Sequence, residues 1–291
     1  MTSLDVSLRD AYLRRLGFAE PPRPTVESLF LLHRAQAERV PYESVWIWLG
    51  ERRTIEPLDS LRYVTGPGRR GGYCYQLNGA FATLLDWLGF DVRRHIGGVQ
   101  GNSTDPAGAN GNHLALSVAN LPSPDNPDGG WFIDAGLGDG PHDPLPLRAG
   151  AYEQGPFTYH LSPSTAAPGG WRFDADPKMS LVGMDFSPGR ATIADLQDKH
   201  EHLQSSPDSG FVRVLTVFRR DADGVDYLRG RVLRRTDATG DHPTELTTSA
   251  DWYAAMADVF DLTLSDVDEK RREALWQKVT VAHESWLAKQ A

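Results

Sequence analysis

RRGGYCYQLNGAF, residues 69–81, holds the only cysteine of a 291-residue chain. Two arginines and a glycine pair precede Cys74, and an apolar run follows it through YQLNGAFATLLDWL to Gly89, a C′ residue. The pattern predicts a glycine turn feeding a helix that Cys74 opens. A helix N-terminus offers unpaired N–H groups and a positive field, which lower a thiol's pKa and hold a developing oxyanion. A lone cysteine also serves simply as a small apolar core residue, and at this point both readings stand.

Outward from this turn, the first third reads as helical. Leu8, Tyr12 and Leu16 fall at four-residue spacing. After PPRP, Thr25 is an N-cap candidate for VESLFLLHRAQAERV, whose Val26, Leu29, Phe30, Ala37 and Val40 share a face with His33. From residue 90 the pattern turns to strands, with FDVRRHIGGV, NHLALSVANL, GWFIDAG, FTYHLS and GGWRFDA set between turn-rich segments. A polar helix is expected at TIADLQDKHEHLQ. Strands follow at FVRVLTVFRR and DYLRGRVLRR, then a helix capped by Ser249 or Asp251, and at least one more helix. Helices, then strands, then a mixture indicate an α+β chain of three packed subdomains.

Composition limits the function. Lys and Arg number 30 against 39 Asp and Glu, a formal charge of −9, which argues against general nucleic-acid binding. A single cysteine excludes an intramolecular disulfide, and no cysteine cluster of the structural-zinc type is present. No segment approaches the roughly 20 apolar residues of a bilayer span. The N-terminal stretch lacks a signal-type apolar core, so a soluble, cytoplasmic protein is expected.

A catalytic thiol needs a base and an orienting group. Of nine histidines, His113 heads a strand-like run, and Asp134 ends another where adjacent strands can carry both to one cleft. Asp134 also fits a plain strand-end turn residue. His95 competes as base, although Arg93 and Arg94 give it the look of a basic surface strand. His200 and His202 read as solvated, His33 and His283 as ordinary helix residues, and His142, His160 and His242 have no distinguishing neighbours.

RGGYCYQLN resembles the Arg-Gly-Gly-x-Cys signature of the arylamine N-acetyltransferases. ERVPYES resembles that family's Val-Pro-Phe-Glu-Asn segment, NHLAL its histidine strand, FIDAGLG its aspartate strand, and HLQSSPDSGF a Ser-x-x-Ser-x-Phe segment. The matches keep the family's order. The resemblance implies an α+β fold with a papain-like Cys-His-Asp triad. A helical subdomain (1–89) would carry the nucleophile, a central β-barrel (90–200) the His and Asp, and an α/β lid (201–291) would complete the fold.

Residue by residue, it makes Cys74 the nucleophile, His113 the base and Asp134 the orienting carboxylate. Glu43 and Arg70 become an ion pair supporting the turn. Gly136 and Gly138 become the place where backbone approaches the CoA pyrophosphate. The implied reaction carries an acetyl group from acetyl-CoA, a co-substrate, through a Cys74 thioester to an aromatic amine or hydrazine. No metal or permanently bound cofactor is implied. The runner-up is an amide synthase of the same family, which releases an acyl chain from an acyl carrier protein. Amine or CoA binding without turnover, and peptide hydrolysis, are weaker alternatives.

The chain departs from the family pattern at Gln76 (usually Glu), at Ser44 (usually Asn), and in the acidic Asp139 and Asp143 beside the CoA region. Tyr73, Tyr75, Trp46 and Trp48 suit an aromatic-accepting pocket and equally suit a core.

Overall fold

The computed structural model describes residues 2–289. Five helices fill the first part of the chain: α1 (Ser3–Leu16), α2 (Val26–Arg39), α3 (Val45–Trp48), α4 (Pro57–Thr65) and α5 (Cys74–Trp87). The two-residue strand β1 (Tyr42–Glu43) lies among them. Helix α1 buries Leu8, Tyr12 and Leu16 as the spacing requires. Thr25 caps α2, its hydroxyl oxygen accepting from Ser28 N at 3.2 Å. The buried face of α2 is more polar than expected, comprising Ser28, Leu29, Leu32, His33 and Gln36. Each polar member has at least one partner; Tyr12 Oη, for example, donates to Gln36 Oε1 at 2.6 Å. Helices α3 and α4 have no counterpart in the sequence reading, although Pro57 at the first position of α4 is a usual start signal.

The middle of the chain supplies β2 (Asp91–Gln100), β3 (His113–Ala119), β4 (Trp131–Ile133) and β5 (Leu145–Pro146). It continues with β6 (Gly150–Gln154), β7 (Phe157–Pro163), β8 (Trp171–Asp174) and β9 (Gly183–Phe186). These eight strands form one sheet in the order β5-β4-β3-β2-β9-β8-β7-β6. Its first and last strands are separated in sequence only by residues 147–149. The sheet therefore has to curl until its edges nearly meet, which makes a nearly closed barrel. Phe132, Tyr159, Phe173 and Phe186 fill its interior, Phe132 stacking on Phe186 at 5.3 Å.

Helices α6 (Ala194–Ser205) and α7 (Gly210–Arg213) lead to β10 (Thr216–Arg220), β11 (Gly224–Arg229), β12 (Val232–Asp237) and β13 (Gly240–Glu245). Helices α8 (Ser249–Asp258) and α9 (Glu269–Leu287) follow. Here the sequence reading needs three corrections. FVRV is a helical turn, because Ser209 Oγ caps it by accepting from Phe211 N at 3.2 Å. DYLRGRVLRR is two antiparallel strands, folded back at Gly230, whose φ of +57° suits a hairpin turn. The cap of α8 is Thr248, whose side chain accepts from Asp251 N.

The second sheet runs β1-β10-β11-β12-β13, so two residues from the helical part complete the C-terminal sheet. Helix α6 itself crosses the boundary expected at residue 200. Among the described residues, no helix is long and apolar enough to cross a membrane.

Candidate active site

The turn before α5 is tight because β1 lies against it. Glu43 N donates to Gly72 O at 2.8 Å, and a Cβ at Gly71 would stand 1.8 Å from Pro41 O. No side chain fits there, which accounts for the glycine. Glu43 is fully buried. Its Oε2 accepts from Val45 N at 2.6 Å and Trp46 N at 3.3 Å, which caps α3.

Its Oε1 pairs with Arg53 Nη1 at 3.3 Å, and the same nitrogen donates to Gly71 O at 3.1 Å. The expected Glu43–Arg70 pair is thus corrected to Glu43–Arg53. Arg70 instead pairs with Glu51 and Asp266, each at 3.1 Å. Gln76 sits at the third position of α5, where its Oε1 accepts from Tyr73 N at 3.3 Å and its Nε2 donates to Thr54 O at 3.2 Å. A glutamate could not make the second bond. Ser44 Oγ accepts from Thr216 N at 3.0 Å and so fastens the β1 end to β10.

Cys74 is the first residue of α5, His113 begins β3 and Asp134 follows β4. The structure brings all three together, each 2–3% exposed. His113 Nε2 lies 2.7 Å from Asp134 Oδ2. Cys74 Sγ lies 3.7 Å from Asn112 O, next to His113 in the chain. Burial alone would push His113 down. The charges and hydrogen bonds of Asp134 and Cys74 together outweigh it, and the imidazole's pKa rises from 6.5 to about 10. An imidazole that keeps its proton beside a sulfur is the arrangement that sustains a thiolate nucleophile.

Asn78, one turn along α5 from Cys74, joins the three elements. Its Nδ2 donates to Leu114 O at 2.6 Å and to Asp134 Oδ1 at 2.8 Å, and its Oδ1 accepts from Ala135 N at 3.0 Å. Gly136 N also donates to Asp134 Oδ1, at 2.8 Å. A Cβ at Gly136 would stand 2.8 Å from Cys74 Cα. Gly136 is therefore a packing glycine, with both its amide and its open side turned toward Asp134 and Cys74. Gly138 is half-buried, has a φ of +81°, and would meet the Phe218 ring at 3.0 Å if it carried a side chain.

Several expectations about neighbouring residues are corrected by their partners. His95 is buried, with Nε2 2.8 Å from Ser117 Oγ and Nδ1 3.2 Å from Gly189 O. His200 is also buried; its Nδ1 meets Tyr73 Oη, and its Nε2 donates to Arg53 O at 2.6 Å. Tyr73, Tyr75, Trp46 and Trp48 are all core. Asp143 is neutralised by a two-pronged contact from Arg34, and Asp139 is buried, its pKa raised by that burial.

Sequence reasoning passed over Asn78, Arg53 and the pair His33 and His142. His33 Nε2 lies 3.2 Å from Asp134 N, its Nδ1 lies 2.9 Å from His142 O, and His142 Nε2 lies 2.7 Å from Glu38 Oε1. The signal available in the sequence was a buried-face histidine on α2, and nothing in its spacing names Asp134 as a partner.

Known proteins match this chain in sequence and fold. A sequence model of the N-acetyltransferase family matches residues 25–269. An arylamine N-acetyltransferase of Mycolicibacterium smegmatis is 29% identical over 270 residues, covering 88% of this chain and 92% of its own. The arylamine N-acetyltransferase / N-hydroxyarylamine O-acetyltransferase of Salmonella typhimurium is 33% identical over 154 residues, about half of each chain. Among solved structures, the Mycobacterium marinum arylamine N-acetyltransferase in complex with CoA superposes with a TM-score of 0.79 at 25% identity. That match covers 92% of this chain and 97% of the other.

Proposed function

The chain belongs to the arylamine N-acetyltransferase family, and from that premise we propose that it carries an acetyl group from acetyl-CoA, through a Cys74 thioester, to the nitrogen of an arylamine or arylhydrazine. The observation that carries this reading is the His113–Asp134 contact of 2.7 Å beside the thiol at the start of α5. The CoA complex of the M. marinum relative supports a CoA thioester as donor.

In this reading Asp134 occupies Nε2 of His113, so Nδ1 is the nitrogen that exchanges a proton with Cys74 Sγ. The thiolate attacks the thioester carbonyl. The free N–H groups of the first turn of α5 stabilise the oxyanion, and CoA leaves as its thiol. The amine then attacks the acyl-enzyme; His113 takes its proton and returns it as the S–C bond breaks. Asn78 and Gly136 keep the Asp134 carboxylate oriented. Of the two glycines expected near the CoA pyrophosphate, we keep Gly138, because Gly136 is enclosed against Cys74 and Asn78. The C-terminal sheet and its helices form the lid over this cleft.

Intact-protein mass after brief incubation with acetyl-CoA tests the proposal. The expected result is a gain of one acetyl group that an arylamine removes and that Cys74→Ala abolishes. A thiol that alkylates normally yet gains no acetyl group would overturn acetyl-CoA as donor, and carrier-bound acyl thioesters would be tried next.

A further inference from the structure

Helix α2 carries a buried histidine that touches no part of the cleft's reacting atoms yet meets the backbone of Asp134. The contacts of His33 leave little freedom in assigning its protons. A carbonyl oxygen only accepts, so Nδ1, 2.9 Å from His142 O, must carry the hydrogen. In the neutral ring Nε2 is then a bare acceptor, and the group 3.2 Å from it is the N–H of Asp134. The ring is fully buried, packs edge-on to Phe81 at 6.0 Å, and burial pushes its pKa down, which keeps it neutral.

On the far side, His142 is itself held by Glu38, and Arg34 grips Asp143. Three residues of α2 thus fix the segment from Asp134 to Asp143. The Asp134 carboxylate is held by Asn78, Gly136 and His113, but its main chain is held here by His33. A carboxylate presented from an unanchored strand end would swing with its backbone, and the hydrogen bond to His113 would swing with it.

We propose that His33 is a positioning residue of the Cys74–His113–Asp134 site, acting as the hydrogen-bond acceptor that fixes the Asp134 main chain. The proposal deepens the triad reading above and rests on it. Its action is indirect: loss of the acceptor slackens Asp134, lets the His113 ring turn, and lowers the reactive fraction of Cys74.

Two substitutions separate an acceptor role from a packing role. A glutamine carboxamide can place its oxygen near the position of Nε2, whereas an asparagine carboxamide can place its nitrogen near Nδ1. His33→Gln therefore keeps the acceptor for Asp134 N, and His33→Asn keeps only the donor for His142 O. The readout is the rate of Cys74 alkylation by iodoacetamide, with near-native circular dichroism as the check on folding.

Alkylation needs no acyl donor. A mistaken choice of acetyl-CoA would therefore leave this measurement intact while failing the acetylation assay. His33→Gln is expected within about threefold of wild type, and His33→Asn on the order of tenfold slower, the scale of one lost hydrogen bond. Equal rates in the two variants, or the reverse order, would overturn the proposal.

Should either variant fail to fold, nitrogen-15 NMR of the wild-type histidines decides. A neutral His33 with the proton on Nδ1 supports the assignment. A proton on Nε2 at neutral pH refutes it.

Discussion

Asp134 Oδ2 meets Nε2 of His113 at 2.7 Å, a contact that in the proposed mechanism leaves Nδ1 for Cys74. Asp134→Asn keeps the size and one acceptor oxygen but turns a donor toward Nε2. The wrong tautomer follows, and turnover should fall by about 10⁴-fold, as for carboxylate-to-amide changes in comparable triads. Steady-state acetyl transfer and Cys74 alkylation, measured on the same folded sample, check this. A loss below tenfold would remove Asp134 from the role assigned to it.

His113 also makes folding depend on pH. Burial opposes its charge, but Asp134 and Cys74 prevail and raise its pKa from 6.5 to about 10 in the folded protein. Folding therefore takes up a proton between those values. The resulting stabilisation is fully present below about pH 6.5 and is lost as pH rises through about 10. The difference in unfolding free energy between wild type and His113→Gln should shrink steadily across that window. A constant difference from pH 6 to 10.5 would contradict the assigned protonation.

Asn78 satisfies Leu114 O, Asp134 Oδ1 and Ala135 N with one side chain. Asn78→Ala strands buried groups on two strands and should cost at least about 1–3 kcal/mol. Asn78→Asp keeps the volume but loses both donors and sets a second carboxylate beside Asp134. It should slow Cys74 alkylation more than the alanine variant does. Chemical denaturation and alkylation kinetics together test the order.

The buried Glu43–Arg53 pair should behave as a unit. Arg53→Met leaves Glu43 uncompensated and should cost about 3–5 kcal/mol. In Glu43→Gln/Arg53→Met the cost should be well below the sum of the single changes, since both partners go together. Arg70→Met should couple more weakly to Glu43→Gln, because Arg70 pairs with Asp266 and reaches Glu43 only through Glu51, which it shares with Arg53. Additive energies for Glu43 and Arg53 would dissolve the pair.

Two glycines near the nucleophile should respond in opposite senses to alanine. A Cβ at Gly136 would come within 2.8 Å of Cys74 Cα, so Gly136→Ala should displace the start of α5 and cost about 1–3 kcal/mol. Gly79, inside α5, has nothing within 4 Å of an added Cβ. Gly79→Ala should stabilise by about 0.5–1 kcal/mol through helix propensity alone. Thermal unfolding of the two variants distinguishes them.

Much of the local chemistry was legible in the sequence, although the Ser209 and Thr248 caps, whose causes are just as local, were not. The glycine pair, the start of α5 at Cys74, the Thr25 cap and the change from helices to strands near residue 90 all follow from residues within a few positions of one another. The hairpin at Gly230 was hidden because a single glycine inside a strand-like run, DYLRGRVLRR, fits a bulge as well as a turn. What escaped altogether depends on distance in the chain. His33 and Asp134 are 101 residues apart, and Asn78 and Asp134 are 56 apart. The partner of Glu43 was misread because the resemblance points to Arg70 alone, and only the three-dimensional path shows that Arg53, equally buried, is the one that reaches Glu43.

The strand formed by Tyr42 and Glu43 pairs with Phe218 and Val217, while the same two residues brace the glycine turn ahead of Cys74. During synthesis, then, the ribosome has to deliver the chain beyond residue 220 before that strand finds its neighbour. A nascent polypeptide that already displays Cys74 lacks both the strand partner of β1 and, until β4 emerges, the carboxylate that charges His113. The surroundings of Cys74 are thus completed late, after both of these neighbours have been synthesised.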